Sequence, residues 1–238
     1  MLSYNTPVAV NGQRPPSSGS IPPSPKDARL PTATAISNSV MSNGTMSTNE
    51  STMKQQHIWL VTGPAGCGKS TVAKHLADTL QMPFIEGDEY HPQANIDKMS
   101  AGIPLTDADR WDWLTALREA SIRELDKGSD GVVLTCSALK RKYRDVIRVA
   151  PYFSPNLHLH FIYLDAPEEV LLQRVSARKN HYMGANMVHS QFEALERPGP
   201  EEVDVITIDV TRSPDAVMAD ALGQAVKTMD RVKPEAQQ

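Results

Sequence analysis

The stretch GPAGCGKSTVAKHLADTL, residues 63–80, follows the apolar run IWLVT at 58–62 and decides the fold. Gly63 and Gly68 bracket four residues, and Lys69 and Ser70 follow directly, which is the G-x-x-x-x-G-K-[ST] spacing of a phosphate-wrapping loop. Glycines let backbone N–H groups approach anionic oxygens closely, and a helix behind the loop points its N-terminus at them. Gly63, Pro64, Ala65, Gly66, Cys67, Gly68, Lys69, Ser70 and Thr71 are therefore the expected cradle for ATP. In this pattern Lys69 reaches the β- and γ-phosphates, and the Ser70 hydroxyl takes one position on Mg²⁺. A plain glycine turn between strand and helix is the alternative, and the order strand, loop, helix argues against it.

Outward from this loop, strand-length apolar runs alternate with stretches of helical period. The strands are expected at 58–62, 83–86, 131–137, 157–165 and 203–210, and the helices at 70–80, 107–128, 137–150, 166–179 and 213–232. All strands but the second are nearly continuous in apolar residues, as strands covered on both faces are. The order predicts an α/β fold of the P-loop NTPase kind: a five-stranded parallel sheet with helices on both faces.

Residues 1–55 read differently. They hold seven of the eighteen prolines, much Ser, Thr and Asn, and a single aromatic, Tyr4. Such a segment cannot bury enough surface to offset its ordering entropy and is expected to be a disordered N-terminal tail ahead of one kinase domain, 56–238. It lacks the apolar core of a secretory signal and the Arg-rich pattern of a transit peptide. The net charge is −4, and the tail carries four Lys or Arg against two acids, so the domain is more acidic than the whole. That argues against a nucleic-acid partner, and the absence of an apolar run of about 18 residues argues against a membrane span. Cys67 and Cys136 are the only cysteines and lie beside apolar strand ends, which fits two inert thiols in a reducing, cytoplasmic setting.

The phosphate loop alone covers motors, GTPases and small-molecule kinases. No N-K-x-D string for guanine is present, and the strand in VVLTCSALK ends in Cys136 and Ser137 where a motor ATPase carries an acid. The first acidic cluster is EGDEYHP, 86–92, directly after the second strand. Ligands of open parallel sheets gather at the carboxyl ends of strands, so Asp88 is expected to face the loop. There it accepts a proton from an incoming hydroxyl and helps order the magnesium waters. A surface turn acid is the bland alternative.

Together, GPAGCGKS, EGDEYHPQANIDKMSAGIPLTDADRWDWL, CSALKRKYRD, QFEALERP and DVITID resemble the gluconokinase family of P-loop sugar-acid kinases, over nearly all of 58–210. The resemblance implies transfer of the ATP γ-phosphate to the 6-hydroxyl of D-gluconate, giving 6-phospho-D-gluconate for the pentose phosphate route. It also implies a nucleoside-monophosphate-kinase-like fold, a lid at about 178–192, and a homodimer. Gluconate is a carboxylate with a row of hydroxyls. Arg110, flanked by Asp107 and Asp109 that hold its planar fork, is the expected carboxylate contact, with a helix-surface ion pair as the alternative. His91 and Lys98 flank the same loop as hydroxyl or phosphate contacts, although His91 fits a turn cap equally well.

Lys140 and Arg144 stand four apart in KRKYRD, on one helix face, and are expected near the substrate. By composition alone that cluster is also a localisation or nucleic-acid patch, or a solvated face. Arg174, Arg178 and His181 fall where the lid is expected, and the two arginines belong on the transferring phosphoryl. Asn180 stands where the family pattern has glycine. Rival readings are a kinase for shikimate-like or nucleoside-monophosphate acceptors, and an ATP-binding scaffold. His158 and His160 share a strand face and are expected to be packed rather than metal-bound. At least one of Trp111 and Trp113, two apart on a helix, is expected in the core.

Overall fold

The computed structural model describes residues 54–177 and 185–232. The expected tail, except Lys54 and Gln55, lies outside the described residues, as do Arg178, His181 and part of 178–192. Five strands, β1 (Gln56–Thr62), β2 (Phe84–Ile85), β3 (Gly131–Thr135), β4 (Leu157–Asp165) and β5 (Val205–Asp209), form one sheet in the order β2-β3-β1-β4-β5. Every pairing is parallel.

Alternation along β1 explains why its middle, Ile58 to Val61, is apolar throughout. Ile58 and Leu60 enter one core layer with Val132, Leu134 and Phe161, beneath α3 (Trp111–Asp126) and α4 (Arg141–Arg148). Trp59 and Val61 enter the opposite layer with Val133, Ile162 and Leu164. That layer is covered by α1 (Lys69–Leu80), α5 (Glu168–Ser176), α6 (Ala185–Glu193) and α7 (Pro214–Val232). Period-2 side chains with both faces buried leave no position for a polar residue in that central stretch.

The elements differ from expectation mainly at their ends. Helix α2 (Gln93–Ser100) arises where the sequence offers no apolar stripe, and its one buried residue is Asn95. Helix α3 begins at Trp111 rather than 107, because Asp109 accepts from the Thr106 N–H and hydroxyl and closes a turn instead. Helix α4 begins at Arg141, because Ser137 to Leu139 carry the chain off β3 with Ala138 at a positive φ of 34°.

Parallel register places the loops after all five strands at one edge. The other edge holds an imidazole cluster. His160 stacks on Trp59 at 4.2 Å, and a ring nitrogen of His57 lies 3.1 Å from one of His160. Both imidazoles are buried, and His158 flanks them, bonded to Gln55 at 2.6 Å. His160 packs within this cluster, and His158 lies half-buried at its flank. Burial, then the neighbouring imidazoles, holds His57 down to about 4 and His160 down to about 3.

An imidazole kept neutral by the fold takes its proton first in the unfolded chain, where its ordinary value is about 6.5. Stability is therefore expected to fall as pH drops from about 6.5 to 4.5, above the range where carboxylates titrate. Urea unfolding across that window should show a shallower slope for His160→Phe than for the native chain. An equal slope would show that the cluster does not titrate in this way.

Candidate active site

Between β1 and α1 the chain turns through three glycines of positive φ: Gly63 at 142°, Gly66 at 84° and Gly68 at 99°. At Gly63 a Cβ would stand 2.8 Å from the Leu164 carbonyl oxygen, so no other residue fits against β4 there. Lys69, the first residue of α1, folds over the loop and donates to the carbonyls of Gly63 at 3.0 Å and Pro64 at 3.2 Å. Cys67 is buried within the loop, and burial pushes its thiol up. The same cause pushes Cys136 up to about 12, so both stay protonated.

Two clefts meet at this loop. The first, about 370 Å³, is lined by Gly66, Gly68, Thr71, Arg174, Arg212 and Pro214, among others. The second is lined by Ala65, Lys69, Asp88, His91 and Arg110, with Ser137 after β3 and Met187, Ser190 and Gln191 from α6. Asp88 reaches this cavity although β3 lies between β2 and β1. It does so because Gly87 seats on the end of β3. The Gly87 N–H donates to the Thr135 hydroxyl at 3.0 Å, and the indole of Trp113 donates to the Gly87 carbonyl at 2.7 Å.

Trp113 is buried and also stacks on His91 at 4.0 Å. Burial, reinforced by Arg110 and opposed by Asp88, lowers His91 to about 4, so its imidazole is neutral at physiological pH. Arg110 lies over the Tyr143 ring at 5.3 Å and donates to the Leu105 carbonyl at 3.3 Å. Its Nε is buried with no partner among the described residues.

The aspartates expected to hold Arg110 do not. Asp107 is taken by Lys142, Tyr143 and Lys140, the last at 3.1 Å, and Lys142 first among them holds its carboxyl well below the usual range. Asp109 pairs with Lys98 at 2.5 Å and is lowered to about 2, chiefly by that ammonium and then by Thr106. Ammonium groups and hydroxyls saturate both carboxylates and leave the guanidinium turned to the cavity. Lys98 and Lys140, occupied in these pairs, do not line the cavity.

Arg144 departs furthest from expectation. It is 1% exposed and forms a two-pronged pair with Glu202, Nε to Oε2 at 2.8 Å and Nη2 to Oε1 at 2.6 Å. Its Nη1 donates to the carbonyls of Ala138, Leu139 and Glu196. The i, i+4 spacing with Lys140 carries no shared role, since Lys140 sits ahead of α4 in extended backbone. Arg174 lies in the first cleft, donating to the Val210 carbonyl at 2.6 Å. Gly63, Pro64 and Ser70 belong to the loop without lining either cleft. Ser137, Gln191 and Tyr143 were not singled out from sequence, although CSALK and QFEALE contain the first two.

A phosphate loop on a 2-3-1-4-5 parallel sheet, with a second cavity holding a carboxylate beside the loop lysine, defines a P-loop kinase of small molecules. The model of the shikimate kinase family matches residues 65–227. A probable gluconokinase of Schizosaccharomyces pombe is 52% identical, over 68% of this chain and 84% of its own. The thermosensitive gluconokinase of Escherichia coli is 43% identical over 64% and 78%. The crystal structure of a gluconokinase from Sinorhizobium meliloti, 38% identical, superposes with a TM-score of 0.64 over 75% of this chain and 96% of that one. The chain belongs to the gluconokinase family.

Arg144→Met leaves Glu202 buried without its main counter-charge and is expected to cost about 3–5 kcal/mol in urea unfolding. Arg144, foremost, holds Glu202 at about 2, so this contribution is present above the ordinary value near 4.5 and is lost as pH falls toward 2. An unchanged midpoint with a raised acceptor KM would return Arg144 to the substrate.

Proposed function

We propose that the protein phosphorylates D-gluconate at the 6-hydroxyl with ATP, giving 6-phospho-D-gluconate. The observation that carries this reading is that Lys69 and Asp88 line one cavity at the phosphate loop, with Arg110 in the same wall. The triphosphate lies along the loop amides from Gly66 onward, the Ala65 N–H being taken by Gln191, with its base in the cleft lined by Arg174, Arg212 and Pro214. Lys69 then leaves the Gly63 and Pro64 carbonyls for the γ-phosphate, a stronger acceptor for an ammonium.

Asp88 takes the proton of the attacking hydroxyl as it closes on phosphorus. Arg110, turned away from both flanking aspartates, meets the gluconate carboxylate, and neutral His91 exchanges hydrogen bonds with the sugar hydroxyls. Arg178 and His181, which follow α5 in sequence and lie outside the described residues, are proposed to complete the phosphoryl contacts.

Mg²⁺ fits the donor set. The Ser70 hydroxyl and the Asp88 carboxylate are hard oxygens, and no group of three or more His, Cys, Asp or Glu suited to a metal occurs among the described residues. Such a sparse site suits an ion that keeps several waters and leans on substrate phosphates. The ion would neutralise charge developing between the β- and γ-phosphates. No helix among the described residues is long and apolar enough to cross a membrane, and a cytoplasmic homodimer is part of the proposal.

An ADP-release assay with gluconate, shikimate and AMP separates the acceptors: turnover of gluconate above the other two is expected, and turnover of shikimate or AMP alone would redirect the assignment. Asp88→Asn should lower kcat for gluconate by about 10²–10⁴, the range of a lost general base, while retaining ATP binding. Arg110→Met should instead raise the gluconate KM by about 10- to 100-fold, the equivalent of one charged hydrogen-bonding partner. Equal effects of Arg110→Met on ATP and gluconate would remove Arg110 from the carboxylate.

A further inference from the structure

Helix α6 meets the phosphate loop at a polar contact that the chemistry above does not use. The Ala65 N–H donates to the side-chain oxygen of Gln191 at 2.7 Å. An amide N–H needs an acceptor, so the contact fixes which end of the Gln191 carboxamide faces the loop. Ala65 and Lys69 are the loop residues that line the acceptor cavity, whereas Gly66, Cys67, Gly68 and Thr71 line the nucleotide cleft. The contact therefore stands on the acceptor side of the loop, next to the point where the phosphoryl group crosses from one cleft to the other.

Helix α6 belongs to that side as well. Met187, Ser190 and Gln191 line the acceptor cavity, and among the described residues no member of α6 lines the nucleotide cleft. Other anchors of α6 include Val188, buried in the core, Phe192, packed against it, and the exposed His189, which meets Glu168 of α5 at 2.8 Å. Just beyond the helix, the Glu196 N–H donates to the Leu139 carbonyl at 2.9 Å. The hydrogen bond that joins α6 to Ala65 itself is the one from Gln191.

We propose that Gln191 is a positioning residue for phosphoryl transfer: by bonding the Ala65 amide it fixes the α6 wall of the acceptor cavity against the lip of the phosphate loop. It thereby governs where the acceptor hydroxyl stands and leaves nucleotide binding alone. The inference rests on the kinase reading of the site.

Gln191→Met keeps the length and apolar bulk of the side chain, and a thioether is only a weak acceptor. Losing one ordinary hydrogen bond is worth a factor of about 2–10, and misplacement of reacting atoms enlarges the loss. For the full-length variant, kcat/KM for gluconate is expected to fall by about tenfold or more, through both a raised KM and a lowered kcat. The Kd for a fluorescent ATP analogue, measured on the same sample, should change by less than about twofold, and that binding also reports a folded protein. Unchanged kcat/KM for gluconate would overturn the inference, as would a parallel loss of nucleotide affinity, which is the mark of a generally disturbed loop. A native enzyme that binds ATP and leaves gluconate untouched would instead overturn the acceptor reading, and the positioning role with it.

Discussion

The acceptor cavity depends on how closely the chain passes over the end of β3 after leaving β2. A Cβ on Gly87 would lie 1.9 Å from the Thr135 carbonyl oxygen, so the backbone crosses there with no room for a side chain. Only this crossing carries Asp88 past an intervening strand to the cavity that Lys69 also lines. The Thr135 hydroxyl accepts from Gly87 and donates to Glu86, and Trp113 holds the Gly87 carbonyl from α3. Since the same indole backs His91, the base proposed for the acceptor hydroxyl and a proposed hydroxyl contact share one support.

The distribution of charge follows a second logic. KRKYRD and TDADR bring together five cations and three acids around the cavity. Lysines take the aspartates, each ammonium satisfied by a nearby carboxylate, and Arg144 is drawn inward by Glu202, where its planar fork meets a two-pronged partner and three carbonyls. What remains is Arg110, stacked on Tyr143 with an unpartnered Nε. Away from Lys69 and Asp88 at the loop, this guanidinium is the one charged side chain among the described residues lining the cavity, and it suits a single carboxylate on a polyol.

The loop, the strands and their parallel order were legible because each rests on local chemistry. Glycine spacing fixes the loop, and nearly continuous apolar runs fix β1, β3 and β4. The position of Asp88 at the cavity was legible through the rule that ligands collect at strand carboxyl ends. Arg144 was not, because its partner Glu202 lies 58 residues away and no local pattern marks a buried pair. Asp107 and Asp109 misled for a related reason: neighbours in sequence suggested a clamp on Arg110, and lysines from other turns outcompeted it. Gln191 escaped notice because a glutamine on an amphipathic helix carries no signal until the fold sets it beside Ala65. Helix α2 was hidden by its lack of an apolar stripe, since it packs through Asn95, whose side chain donates to the Asp109 carbonyl at 2.6 Å.

The proposed phosphoryl path is tested most directly by a crystal structure with gluconate and a non-hydrolysable ATP analogue bound together. The 6-hydroxyl should lie within hydrogen-bonding distance of the Asp88 carboxylate and in line with the γ-phosphate, with the gluconate carboxylate on Arg110. A sugar acid bound the other way round, with its carboxylate toward the loop or Asp88 turned from the hydroxyl, would contradict it.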